Sequence, residues 1–173
     1  MNFLKWCLPI VVCAWLGQYL LALWAPNLIM EVLYYQAGEQ NGYNRLFISP
    51  IPDATARTVV RPSPDLIYAI CVYDLSEGPV SIQALVPARY WSMQFYQMNT
   101  DNFAGITNQR DEQNLIGSVL QVTLIGGADN ADAYEGAVIQ SPTDRGVMLL
   151  RASAIGDYSA SLAALESSQC GQA

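Results

Sequence analysis

Nine residues between positions 61 and 102 carry the side chains best suited to chemistry: Arg61, Asp65, Tyr68, Asp74, Arg89, Tyr90, Gln94, Tyr96 and Asn102. Gathered in a cleft, the arginines could grip an anionic small molecule through paired hydrogen bonds while the tyrosines stack on it. Asp65 or Asp74 could take a proton as general base, and the two together could work as a glycosidase-type carboxylate pair. The competing reading makes Arg–Asp pairs and Asx turns that hold loop corners. Arginine–carboxylate pairs at turns are structural more often than not, so the corner-holding reading is preferred. No residue is assigned a catalytic role, and the nine stand as ligand or interface candidates.

The chain has no histidine. That removes the commonest general base, the commonest zinc ligand and every Ser-His or Cys-His nucleophile arrangement. Ser63 and Ser92 therefore lack a base. No CxxC or similar metal spacing occurs. Asn99, Thr100, Asp101 and Asn102 offer oxygen ligands for calcium, but the EF-hand pattern is absent and polar turns have this composition anyway. Gly126-Gly127 has no helix signal after it, so it is not a phosphate loop. Neither a metal nor a cofactor is implied. The net charge of −7, with Lys5 the sole lysine, argues against nucleic acid and against docking on anionic lipid headgroups.

The elements that would position these residues are mostly strands. Residues 56–60 are the first plausible one, stopped by Arg61-Pro62-Ser63-Pro64-Asp65, where two prolines exclude a helix or a central strand. Residues 66–75 are almost wholly apolar and read as a strand buried on both faces. After the turn Ser76-Glu77-Gly78-Pro79, residues 80–86 read as its hairpin partner. In residues 89–98, Trp91, Met93 and Phe95 share one face, which is core. Tyr90, Ser92, Gln94 and Tyr96 share the other, polar yet aromatic, as in a cleft wall or an interface. Residues 99–103 read as a polar turn. Further strands are expected at 116–125, 137–140 and 146–152, and a helix capped by Asp157 at 157–168. The fold class is mainly β, an antiparallel sandwich or open barrel with a short C-terminal helix.

Before this domain, residues 6–25 form an apolar run broken only by Pro9, Gly17 and Gln18. As a helix it spans roughly 30 Å, the thickness of a bilayer's hydrocarbon core. Trp6 and Trp24 lie about 27 Å apart near its ends, with Trp15 between them, which suits aromatic interface belts. A cleaved signal peptide is the rival, but the run exceeds the usual length and Ala22-Leu23-Trp24-Ala25 lacks a small-x-small cleavage pattern. Lys5 precedes the run and no cation follows until Arg45, so the N-terminus is expected in the cytoplasm and the domain beyond the membrane. Met30, Leu33 and Tyr34 continue at helical spacing as an amphipathic stalk, which Gly38 and Gly42 then end. The organisation expected is an anchor and stalk at 1–37, a lead-in loop at 38–56 and a β-domain at 57–173. Cys7 and Cys13 fall in the anchor. Cys71 and Cys170 can pair in an oxidising compartment and tie the C-terminal tail to the sheet; two free thiols are the alternative.

The run Arg61-Pro62-Ser63-Pro64-Asp65, Tyr68, Tyr73-Asp74-Leu75-Ser76, Gly78-Pro79, Arg89-Tyr90-Trp91-Ser92 with Gln94 and Tyr96, Asn99-Thr100 and Asn102-Phe103 resembles a known family. That family is domain of unknown function 1254, whose members often occur beside or fused to domain of unknown function 1214. The chain looks like its short, singly anchored form. The resemblance implies a β-rich domain on the periplasmic side of a bacterial cytoplasmic membrane, and it brings no catalytic residues. From anchor and strand face together, the partners expected are the lipid bilayer and other membrane proteins, with a companion of the second family among them. The function expected is that of an accessory or assembly subunit without catalysis; a ligand-binding or hydrolase-like Arg/Asp/Tyr cleft is the alternative.

Overall fold

The computed structural model describes residues 3–49, 62–109 and 115–173. Helix α1 (Phe3–Asn41) accommodates Pro9 and Pro26 within its length. From Trp6 to Trp24 every side chain but Cys7 is exposed, and Trp6–Asn41 is long and apolar enough to cross a membrane. Beyond Pro26 burial returns at Met30, Tyr34 and Gly38, one stripe of a helix at a spacing of four, as the stalk pattern predicted. The helix ends at Gly42, whose φ of +88° suits a residue without Cβ, and whose N–H donates to the Gly38 carbonyl at 2.8 Å. Gly38, expected to help end the helix, lies inside it. A Cβ there would overlap the Tyr43 ring, which folds back onto this turn.

The strands are β1 (Leu46–Ile48), β2 (Leu66–Asp74), β3 (Val80–Leu85), β4 (Trp91–Gln97), β5 (Asn102–Thr107), β6 (Val119–Ile125), β7 (Ala137–Gln140), β8 (Arg145–Ser153) and β9 (Gln169–Gln172), with α2 (Tyr158–Glu166) before the last. They form a five-stranded sheet, β1-β2-β8-β4-β5, and a four-stranded sheet, β7-β6-β3-β9. All ladders are antiparallel except β6–β7, which is parallel, so the second sheet is mixed. The two sheets share one core between them. Ile67, Ala69, Cys71 and Tyr73 of β2 and Val80, Ile82 and Ala84 of β3 are all at or near zero exposure there. Trp91, Met93 and Phe95 join them, as their alternation predicted. The mainly β fold with an N-terminal apolar helix and a short C-terminal helix is therefore the one expected.

Four local expectations are corrected. β2 and β3 are not a hairpin: they belong to different sheets, and the turn between them arches across the core. Two apolar strands joined by a short turn can pair or can face each other. Here β2 finds nine register partners in β8 instead. Nor is β2 buried on both faces throughout, since Leu66, Tyr68 and Ile70 are only half-buried on the outer side. Residues 46–48, read as part of a lead-in loop, form β1. Residues 102–107 form the edge strand β5 beyond a shorter turn than expected, with a bulge opposite Phe95 and Tyr96. The strand expected at 56–60 lies outside the described residues.

Candidate binding face on the five-stranded sheet

Pairing register decides which candidates meet. Outward on β2 stand Tyr68, Ile70, Val72 and Asp74, opposite Arg151, Leu149, Val147 and Arg145 of β8. On β4, Ser92, Gln94 and Tyr96 stand opposite Arg151, Leu149 and Val147. This outer face is the polar-aromatic surface that the alternation in β4 predicted.

One end of the face is covered by α1, which packs on β2 and β8. Arg145 Nη1 lies 3.5 Å from Glu31 Oε1, and its guanidinium lies over the Tyr34 ring at 5.3 Å. The Tyr34 hydroxyl donates to Asp74 Oδ2 at 2.8 Å. Asn44 closes the corner, accepting from the Asp74 amide at 2.8 Å and donating to the Asp74 carbonyl at 2.9 Å. Partial burial alone would raise the Asp74 carboxyl. Hydrogen bonds from Ser76 and Tyr34 outweigh it and hold the carboxyl below its ordinary value. Val72 and Val147 are buried beneath this end. Asp74 is thus tied into this corner by Tyr34, Asn44 and Ser76.

At the other end no described element covers the face. Arg151 Nε donates to Ser92 Oγ at 3.1 Å, and the Tyr90 hydroxyl donates to the same oxygen at 3.1 Å. Tyr68 accepts from the Ser63 amide at 2.9 Å, which ties the Pro-rich turn to β2. Between the ends, Gln94 lies flat across β5 because Gly105 has no Cβ to obstruct it, and its Oε1 accepts from Asn102 at 3.0 Å. Tyr96 is half-buried beside it.

The remaining candidates are dispersed. Asp65 and Asp74 stand nine residues apart along one strand direction, about 30 Å at ~3.3 Å per residue. A glycosidase pair needs about 5–10 Å, so the two cannot share one bond. Arg89 is exposed and lies against Gly156, at the lead-in to α2, rather than on the sheet face. Arg61 lies outside the described residues. In the turn before β5, the Asp101 carboxylate accepts from Asn99 at 2.8 Å and its amide donates to Asn99 Oδ1 at 3.0 Å, so these side chains close the turn on each other. Among the described residues no cluster of three or more metal-ligating His, Cys, Asp or Glu side chains occurs. Cys71 and Cys170 are bonded across the core, while Cys7 and Cys13 are free thiols. A second, polar cleft of about 550 Å³ opens beside this bridge, walled by Asn44, Arg45, Asp74, Glu77 and Gln172. Sequence reasoning passed over Arg145 and Arg151. Their signal was available: they share the non-core phase of an alternating strand in which Gly146, Met148, Leu150 and Ala152 point inward.

These features define a two-sheet β-sandwich joined to an apolar N-terminal helix long enough to span a membrane, with a disulfide that fits an oxidising compartment. The chain belongs to the family described as "Protein of unknown function (DUF1254)", whose signature matches residues 43–171. No curated protein matches it at a significant level. Among solved structures, the VPA0106 protein from Vibrio parahaemolyticus is similar in fold, with a TM-score of 0.65 at 12% identity, over 88% of this chain and 36% of that one. An uncharacterised protein from Burkholderia cenocepacia aligns with a TM-score of 0.46 at 13% identity, over 84% of this chain and 39% of that one. The chain thus spans little more than a third of the length of either.

Proposed function

We infer that this protein is a membrane-anchored, extracytoplasmic accessory domain that presents the open part of its five-stranded sheet to another protein. The observation that carries this is the division of the outer face. The stalk seals one end over β2 and β8, and Tyr68, Ile70, Leu149, Gln94 and Tyr96, spread over the rest of the face, remain half-buried with no described element over them. A surface of aromatic, amide and aliphatic groups is the composition of a protein interface rather than of a solvated sheet. The bare helix from Trp6 to Trp24 supports residence in a bilayer, because so much continuous apolar surface is untenable in water. Lys5 ahead of the span supports a cytoplasmic N-terminus, and the disulfide supports a periplasmic domain in a bacterial inner membrane. A companion of the domain of unknown function 1214 type is one such partner. The similar Vibrio fold forms only part of a longer chain, which supports a module that works beside other structure.

Site-specific photo-crosslinking in native membranes tests this. A crosslinker at Gln94 or Tyr96 is expected to trap one discrete partner, and one at Gln83 on the opposite sheet is not. Equal trapping from both sheets, or a protein that leaves the membrane only as a free monomer, overturns the reading.

A further inference from the structure

Arg151 occupies the open end of the face with only part of its donor set in use. Its Nε is held by Ser92, which is 1% exposed and is fixed in turn by Tyr90. A guanidinium has five N–H donors in a rigid plane, so one anchored at Nε keeps its terminal Nη donors in a set direction. Among the described residues no acceptor meets those Nη groups, and the one ion pair is that of Arg145 with Glu31. Across the strand stands Tyr68, whose oxygen already accepts from Ser63, which leaves its own proton to donate. Asp65, three residues back from Tyr68, forms no ion pair with Arg151. Half-buried cationic donors without an acceptor form a seat for an oxyanion.

We propose that Arg151 and Tyr68 bind one carboxylate group. A flat carboxylate matches the guanidinium fork, and in a chain of net charge −7 a single negative charge meets less repulsion than a phosphate dianion. This deepens the docking reading: the seat gives the face a directional polar anchor, filled by an Asp or Glu side chain or a chain end of the partner. The seat's chemistry stands without that reading; only the source of the carboxylate rests on it.

The test is a titration of the full-length protein in detergent micelles, followed by the arginine Nε–Hε resonances, with acetate, inorganic phosphate and chloride at matched ionic strength. With acetate, the Arg151 resonance, identified by its loss in Arg151→Gln, is expected to follow a one-site saturating curve while that of Arg145 stays put. Tyr68→Phe, which keeps the ring, is expected to weaken acetate several-fold. No saturation with acetate overturns the seat, and saturation by phosphate at lower concentration overturns the choice of carboxylate. The source is then read from the Gln94 crosslink. Its loss in Arg151→Gln with acetate binding intact in the wild type supports a partner carboxylate, and its retention overturns that assignment in favour of a free small acid. If the wild type binds acetate yet traps no partner, the docking reading fails and the seat stands.

Discussion

Removing the Cys71–Cys170 bridge should cost this domain a large part of its stability. The two cysteines are 99 residues apart in sequence, with Cα atoms 6.5 Å apart. In the chain-entropy model, a loop of that length confines the unfolded chain enough to contribute about 4.7 kcal/mol, an upper bound on what is measured. At ~2.1 cal/mol/K of unfolding entropy per residue, a domain of roughly 130 residues has about 270 cal/mol/K, so the bridge is worth up to ~17 °C in Tm. The effect should begin locally. β9, four residues long, pairs only with β3, and the bridge is its one covalent tie to the opposite sheet. The assay is thermal unfolding of the full chain in lipid nanodiscs, read from the β-sheet circular dichroism band, for oxidised wild type, reduced wild type and Cys71→Ala/Cys170→Ala. Reduction breaks only the link, whereas the double variant also removes buried sulfur atoms, so the comparison separates constraint from packing. A shift under ~4 °C on reduction, about 1 kcal/mol by the same conversion, would refute the reasoning. A large shift in the double variant alone would assign the effect to packing.

Two further outcomes follow from contacts already described. Gly146→Ala places a Cβ against both the Tyr73 hydroxyl and the Tyr96 backbone carbonyl, so it should destabilise by about 2–3 kcal/mol or more in chemical denaturation. Tyr73 cannot yield by ionising, because burial, only partly opposed by Ser141 and Thr143, pushes its hydroxyl up to about 12. The Asp74 carboxyl titrates below its ordinary value of 3.8. Its contribution to stability is therefore fully present above that value and is lost as pH falls through the lower folded value. Asp74→Asn should flatten this acid limb of a stability–pH profile and leave neighbouring pH values above about 5 parallel to the wild type; an unchanged acid limb would show that the Tyr34–Asp74 corner is not what titrates.

Much of the fold was legible because period and composition act locally. The apolar run of α1, the stalk phase of Met30 and Tyr34, the inward set of Trp91, Met93 and Phe95, and the Asp157 cap, whose carboxylate accepts from the Ala160 amide, each depend on residues within a turn or a strand. Partnership was not legible in the same way. Whether β2 turns back on β3 or arches over to face it depends on which other strand offers a longer ladder, and β8 lies some seventy residues on. β1, β5 and β9 are short edge strands, and their few residues carry too little pattern to stand out from loop. The Cys71–Cys170 pair could be reasoned out because the reading needed only two thiols in one domain. The candidate site was legible as a face but not as a site. Alternation placed Tyr90, Gln94 and Tyr96 together, yet it could not name the partners, Tyr34 and Asn44, that fix Asp74 in its corner. It also gave no reason to look at Arg151, which becomes interesting only once its acceptor turns out to be a buried serine and not a carboxylate.

The stalk turns the outer face into a surface with a defined placement. Glu31 meets β8, Tyr34 meets β2, and the chain then reverses at Gly42 into β1, so α1 crosses one end of the sheet and is tied to it at three successive points. Seven residues of helix, about 10 Å, separate Trp24 from Glu31, so in the proposed membrane placement the Glu31 contact falls just beyond the interface belt. A flexible tether would let the sheet sample every direction. A helix continuous from its apolar part to the Asp74 corner instead transmits its own rotation and tilt to the sheet. On the proposed reading, the end that no described element covers, six residues along β8 from Arg145 and about 20 Å away, is then presented at a fixed bearing to anything else held in the same bilayer. On the proposed reading, that coupling is why a weak polar anchor such as Arg151 can matter. When both partners are already confined and oriented by the membrane, little rotational freedom remains to be lost on docking, and one well-directed contact suffices to choose the register.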